Sequence, residues 1–311
     1  MKKRTRVTAI FMMPLAFSVA AQEHINVTHE EVTTGISLGT LSGLTKERVY
    51  DPANGGRKVS QLDWKYRNAA IIQGDLEWQV RSWLSFGAAG WTTLDHKGSK
   101  MDDYDWLSAS QDKWTHHSSH PDTRLNFANQ WDLHLTGWIF NEPDWRVGLL
   151  AGYQQSRFSF SARGGIYQYE NGAYNGTLPD VKTIGYGQRF DVPYIGLTGL
   201  YRYNNFEAGG SLKYSGWTRA KGTDRHYLRS LTFIDKTQKQ DFFSLSANVG
   251  YYVTQNAKVY LEGTWNRTMN KKADDTVIFS EGDNYGRTAF KNGAGIESYS
   301  LLATAGLKYS F

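Results

Sequence analysis

The chain has 311 residues, with 35 Lys and Arg against 30 Asp and Glu, and no cysteine. That length allows one large domain or two ordinary ones, while the lack of thiols excludes disulfide scaffolds, cysteine nucleophiles and thiolate metal sites. The formal charge of +5 includes a basic start, so the remainder is nearer neutral and nucleic acid is not suggested.

Lys2, Lys3, Arg4 and Arg6 precede a mostly apolar run from Val7 to Val19, followed by small residues at Ala20 and Ala21. This is the layout of a cleavable export signal over residues 1–20, cut after Ala20 or Ala21, with a mature domain over 21–311. The apolar run is too short to span a bilayer as a helix, and no later stretch of about 18 apolar residues follows.

Beyond the signal, period-two patterning recurs. A first strand is expected near Ile36–Leu41. Alternating runs follow at Leu62–Trp78, Leu84–Trp91, Arg124–Phe140, Val147–Tyr153, Pro193–Tyr201, Phe206–Tyr214, Phe243–Tyr251 and Val259–Trp265, and a last one closes on Phe311. Between Arg124 and Phe140 the odd positions, from Leu125 to Ile139, read as the apolar face. Short turns fall at Arg81–Ser82, Asn141–Asp144, Asn204–Asn205 and Gln255–Ala257. Longer polar segments lie near 47–58, 96–123, 162–185, 222–240 and 268–292.

The chain carries 11 Trp, 19 Tyr and 15 Phe despite a low mean hydropathy. A membrane barrel reconciles the two, because lipid-facing residues alternate with polar lumen residues and aromatics gather at the interfaces. The expected fold is all-β: a single ten-stranded antiparallel transmembrane β-barrel in a bacterial outer membrane. A soluble β-sandwich shares the alternation but not the terminal Phe, the export signal and the interfacial aromatics. Residues 57–80 exceed the roughly 9–11 that a tilted spanning strand needs, so the barrel should extend above the membrane.

Two constellations in the long polar segments could carry chemistry. Within Met101 to Trp106, Asp103 and Asp105 are two apart and share one face of an extended segment. Close carboxylates raise one pKa and can share a proton or hold a water, although a solvated acidic loop or a weak calcium site fits the same residues. Asp224 and His226 have the same spacing, which lets the carboxylate orient an imidazole acting as general base; a surface His beside an Asp looks no different.

Three motifs are discounted. Gly35-Ile36-Ser37-Leu38-Gly39 fits G-x-S-x-G, but no helix follows to make a nucleophile elbow. His116, His117 and His120 lack the glutamate and helix of a zinc motif. Asn26 and Asn266 head glycosylation patterns that carry little weight in bacterial export.

From about residue 36 to Phe311 the chain resembles the omptins, outer-membrane proteases of Gram-negative bacteria that include surface plasminogen activators. The matching blocks include residues 56–65 (Gly-Arg-Lys-Val-Ser-Gln-Leu-Asp-Trp-Lys), Gly90 to Thr92, Met101 to Trp106, His120 to Asp122, Pro193 to Leu197, Asp224 to Tyr227 and Thr304 to Tyr309.

The resemblance implies an endopeptidase needing no metal or other cofactor, with Asp224 and His226 as its dyad and Asp103 and Asp105 as a facing pair holding the attacking water. It implies cleavage of extracellular polypeptides beside basic residues, with Glu47 as a pocket acid. Two further pocket acids are missing, because Gly222 and His116 stand where relatives carry Asp, so the residue after the cut is left open. It also implies activation by lipopolysaccharide through Tyr153, Gln155, Arg157 and Arg189, with Gln155 in place of a Glu. A monomer is expected. A non-enzymatic adhesin or invasin and a passive pore are the competing functions.

Overall fold

The computed structural model describes residues 31–281 and 285–311; the export signal and its cleavage site lie outside them. Extended segments follow one another as β1 (Val32–Asp51), β2 (Arg57–Arg81), β3 (Leu84–Thr93), β4 (Lys97–Asp105), β5 (His116–Asn141), β6 (Trp145–Arg163), β7 (Ile166–Tyr169), β8 (Tyr174–Thr177), β9 (Lys182–Tyr203), β10 (Phe206–His226), β11 (Leu231–Tyr252), β12 (Ala257–Phe279) and β13 (Gly286–Ser310). β3 and β4 are one wall strand interrupted at residues 94–96, since both pair with β2 on one side and β5 on the other. β7 and β8 form a hairpin on the upper end of β5. The remaining pairs run round in order, and β1 meets β13 from Thr33↔Ser310 to Val49↔Ala294. The sheet is therefore a closed, antiparallel ring of ten strands, as the sequence predicts. Closure leaves no wall strand with an unpaired edge, which a sheet in hydrocarbon requires.

The strands are longer than the patterning suggests. β5 has 26 residues and β2 has 25, where about 10 suffice to cross. The excess stands above the lipid and absorbs most of the segments read as loops: residues 222–240, for example, contain a turn of only 227–230. Above the membrane both faces of a strand can be polar, so the alternation that marks a strand fades there.

Within the lipid belt the alternation holds. Ile36, Leu38, Leu133, Leu135, Leu197, Leu245, Leu261 and Leu301 all point outward and are exposed. Leu125 does not share their face as expected, being 0% exposed. A register shift between Leu125 and Phe127 explains the difference, since one extra residue turns every side chain above it to the other face. β2 makes the same switch. Arg67 and Asn68 bulge opposite Ser42, with Asn68 at φ 52° and its N–H donating to Ser42 Oγ at 2.9 Å. Asn is among the few side chains that tolerate that left-handed backbone. Leu62, Trp64 and Tyr66 consequently face inward above the bulge, and Ala69 and Ile71 below it.

These inward residues build an aromatic layer across the lumen. Trp64 is fully buried, 5.4 Å from the Phe160 ring and stacked on Tyr186 at 5.5 Å, while Tyr66 lies 5.7 Å from Phe160 and 5.8 Å from Phe158. Below it lies a polar cavity of about 400 Å³. Many of its charges are paired, with Lys213 and His134 on Asp132 at 2.8 and 2.9 Å and Lys308 on Asp75 at 2.8 Å. A buried aromatic layer across the lumen opposes ion passage and argues against a passive pore. Trp64→Ala should cost about 3–5 kcal/mol, the usual range for a buried aromatic, in denaturant unfolding of the micelle-bound barrel. In a planar bilayer the wild type should be silent and Trp64→Ala/Phe160→Ala should pass current; steady wild-type conductance would contradict the seal.

Candidate active site

β4 and β10 stand on opposite walls of the ring, separated by β5, β6 and β9 on the shorter way round. Above the aromatic layer, alternation turns Met101, Asp103 and Asp105 of β4 inward, beside Trp64, Leu62 and Ser60 of β2. Asp102 points to the outer surface, where Lys100 and Lys65 hold it at 3.0 and 3.4 Å. On β10 the inward residues are Gly222, Asp224 and His226. The charges of Asp105, His226, Asp224 and Arg229 all act on Asp103, so the carboxylate pair and the Asp–His pair face each other across the mouth. All four residues ride on paired strands, not on loops as the sequence suggests. Their spacing works as expected because the segments stay extended.

His226 is held from both sides. Its Nε2 lies 2.6 Å from Asp224 Oδ2, and its Nδ1 lies 2.6 Å from Nη2 of Arg229. A guanidinium only donates, so Nδ1 must offer its lone pair while Nε2–H donates to Asp224. In that arrangement the basic nitrogen is turned away from the aspartate. Arg229 reaches it because Tyr227–Arg229 form a single 3₁₀ turn closed by Ser230 at φ 49°. The sequence reading missed Arg229; its position three residues beyond His226 at a turn was the available signal.

The Asp103 carboxyl is pushed up to about 7, first by burial and then by repulsion from Asp105, against the opposing pull of His226 and Arg229. Burial also raises Asp105, while a hydrogen bond from Ser60 and the charges of Arg229 and His116 oppose it. Both carboxyls are thus raised, and that of Asp103 owes part of its rise to the charge of Asp105.

Glu47 of β1 is also inward and 1% exposed. Burial, followed by the charges of Asp224, Asp235 and Asp275, holds its carboxyl well above the usual carboxylate range. Asp235 and Asp275 were not predicted. They are register partners on β11 and β12, and Asp235 is also opposite Gly222. Both lie in polar stretches read as loops, where one sequence gives no pairing to bring them together.

Of the other positions singled out, His116 is the register partner of Asp105 and packs on Tyr169 at 5.0 Å. His117 stacks on Tyr104 at 4.6 Å, and His120 binds the Gly164 carbonyl at 2.6 Å. Each of the three is engaged separately, and among the described residues no cluster of three His, Asp or Glu suits a metal. Ser37 lies within β1 and is buried, with no helix after it.

Tyr153, Gln155 and Arg157 share the outer face of β6, and Arg189 is opposite Arg157 on β9. A residue absent from the prediction, Asp191, ties them together. It accepts from Tyr153 and Gln155 at 2.9 Å each and from Arg189 at 2.8 Å, while Arg157 donates to Gln155 at 2.9 Å.

A closed ring with an apolar outer belt, open at one end onto an Asp–His pair facing two carboxylates, defines an outer-membrane β-barrel with a candidate hydrolytic site. More particularly, the chain belongs to the omptin family, whose sequence pattern matches residues 28–311. It is 55% identical over 288 residues to outer membrane protease OmpP of Escherichia coli K12, covering 91% of each chain. It is 44% identical over 315 aligned positions to the plasminogen activator of Yersinia pestis, covering 100% of both. The crystal structure of outer membrane protease OmpT from Escherichia coli matches with a TM-score of 0.88 at 52% identity, covering 90% of this chain and 97% of that one.

At neutral pH the imidazole ¹⁵N spectrum of His226 should show a protonated Nε2 and a bare Nδ1; the opposite tautomer would contradict the Arg229 contact. Asp105→Asn removes a charge that raises Asp103, so the Asp103 midpoint should fall below about 7 in an infrared carboxyl titration. A midpoint that stays or rises would break the pairing.

Proposed function

We propose that this omptin, a peptidase by family, is an endopeptidase of the aspartic type that cleaves extracellular polypeptides beside basic residues. In this reading a water is activated between the Asp224–His226 pair and the Asp103–Asp105 pair. The observation that supports it is the meeting of those pairs across one open mouth, with the basic nitrogen of His226 directed away from its aspartate.

The chemistry follows from the protonation states. Once Arg229 swings off Nδ1, a water there gives its proton to the imidazole as its oxygen bonds to the scissile carbonyl carbon. Asp224 steadies the imidazolium. The proton shared by Asp103 and Asp105 is donated towards the carbonyl oxygen as negative charge develops on it. Collapse breaks the C–N bond as the carbonyl oxygen returns its proton to the Asp103–Asp105 pair, and the imidazolium gives its proton to the leaving amine. Glu47 is the acid assigned to the basic side chain before the cut.

The same reading assigns Tyr153, Gln155, Arg157 and Arg189 to lipopolysaccharide. A lipid phosphate is a stronger bidentate partner than a carboxylate and would take the place of Asp191 on Arg189.

The test is cleavage of a fluorogenic Arg-containing peptide by purified protein supplied with lipopolysaccharide. Asp103→Ala and His226→Ala should each lower kcat by about 10²–10⁴-fold, the range for losing a positioned acid or base. A wild type that cuts nothing but binds matrix proteins would replace the enzyme with an adhesin. Arg189→Ala should raise the lipopolysaccharide concentration needed for half-maximal activity, and an unchanged requirement would remove the lipid assignment.

A further inference from the structure

Four carboxyl groups from four strands crowd one enclosure beside the dyad: Glu47 of β1, Asp224 of β10, Asp235 of β11 and Asp275 of β12. They are 1%, 1%, 1% and 3% exposed. The charges of Asp224, Asp235 and Asp275 all act on Glu47, and Asp235 contacts both Glu47 and Asp275 through its side chain. Among the described residues none of the ion pairs reaches Glu47, Asp235 or Asp275. Glu47 Oε2, Asp224 Oδ1 and Asp275 Oδ1 are buried without a hydrogen-bond partner. A folded chain keeps such groups only at a cost, and orphaned buried acceptors call for an explanation.

Gly222 indicates how the enclosure is shaped. A Cβ there would lie 3.1 Å from Asp235 Oδ2 and 3.4 Å from the Tyr186 hydroxyl. No left-handed backbone demands glycine at this position, so the missing side chain is a matter of room. The Asp235 carboxylate occupies the space beside Asp224 that a residue at 222 would fill.

We propose that Asp235 and Asp275 determine specificity, forming with Glu47 the floor of a pocket that takes the guanidinium or ammonium group of the residue preceding the cut bond. The assignment rests on the reading of the chain as an endopeptidase that cleaves beside basic residues. In the free protein burial and mutual repulsion raise Glu47 and Asp235 well above the usual carboxylate range, which favours their protonated forms. An entering cation supplies the missing donors and releases those protons. A guanidinium, with five N–H groups in a planar fork, can meet several of these oxygens at once, whereas an ammonium meets fewer. Because Asp224 belongs both to this enclosure and to the dyad, a side chain seated there brings its own carbonyl to His226.

The test compares two peptides identical except that the residue before the cut is Arg or its uncharged isostere citrulline. Wild type should prefer Arg. Asp235→Asn and Asp275→Asn should each lower kcat/KM for the Arg peptide at least about tenfold and leave the citrulline peptide nearly unchanged, and Asp235→Glu should recover the Arg preference. Circular dichroism of each variant checks that the barrel has formed. An Arg preference unchanged in both Asn variants, or an equal loss on both peptides, would overturn the assignment while leaving cleavage beside basic residues intact. A wild type that cuts both peptides equally well would sink the basic-residue reading itself.

Discussion

A peptide N–H or C=O group inside a bilayer has no water to bond, and that constraint decides most of this structure. Ten wall strands satisfy it by pairing all the way round, β1 finally meeting β13. Closure fixes which strands are neighbours and which stand opposed. Strand alternation then fixes which side chains turn inward. The candidate site is the product of those two rules at the height where the wall leaves the lipid. Asp103 and Asp105 are aligned by the pleat of β4, Asp224 and His226 by that of β10, and the width of the ring sets the gap between them.

The interior is layered by polarity. Paired charges fill the lower lumen, the Trp64–Tyr186–Phe160 layer seals it, and mostly unpaired carboxyls line the mouth above. The lower charges satisfy one another and look structural. Those of the mouth do not, and burial raises Asp103, Asp105, Glu47, Asp235 and Asp275 above the usual carboxylate range. Stability is spent there, which is where a binding and catalytic surface would be expected to concentrate strain and unmet valence.

Much of this was legible in the sequence, and the reason differs from element to element. The lipid-facing alternation in β5, β12 and β13 revealed the barrel, since a half-buried strand in a membrane must repeat every second residue. The four candidate catalytic residues were visible as two i, i+2 pairs, though only a family resemblance joined them across the 118 residues between Asp105 and Asp224. Strand ends above the lipid were hidden because polarity on both faces erases the period. Leu125 was assigned to the wrong face, as a one-residue bulge leaves no compositional mark. Asp235, Asp275, Asp191 and Arg229 became visible only through register or a turn, neither of which a lone chain displays.

The interrupted wall strand and the short turn after His226 have a consequence for variation among such proteins. Each of the four candidate catalytic side chains lies within a hydrogen-bonded ladder, while the connections at 52–56 and 106–115 carry none of them. Insertions or exchanges in those connections can remodel what approaches the rim without moving the four candidate residues. Drift at the crown can therefore change which polypeptides are met, while the candidate site a few residues below is inherited unaltered.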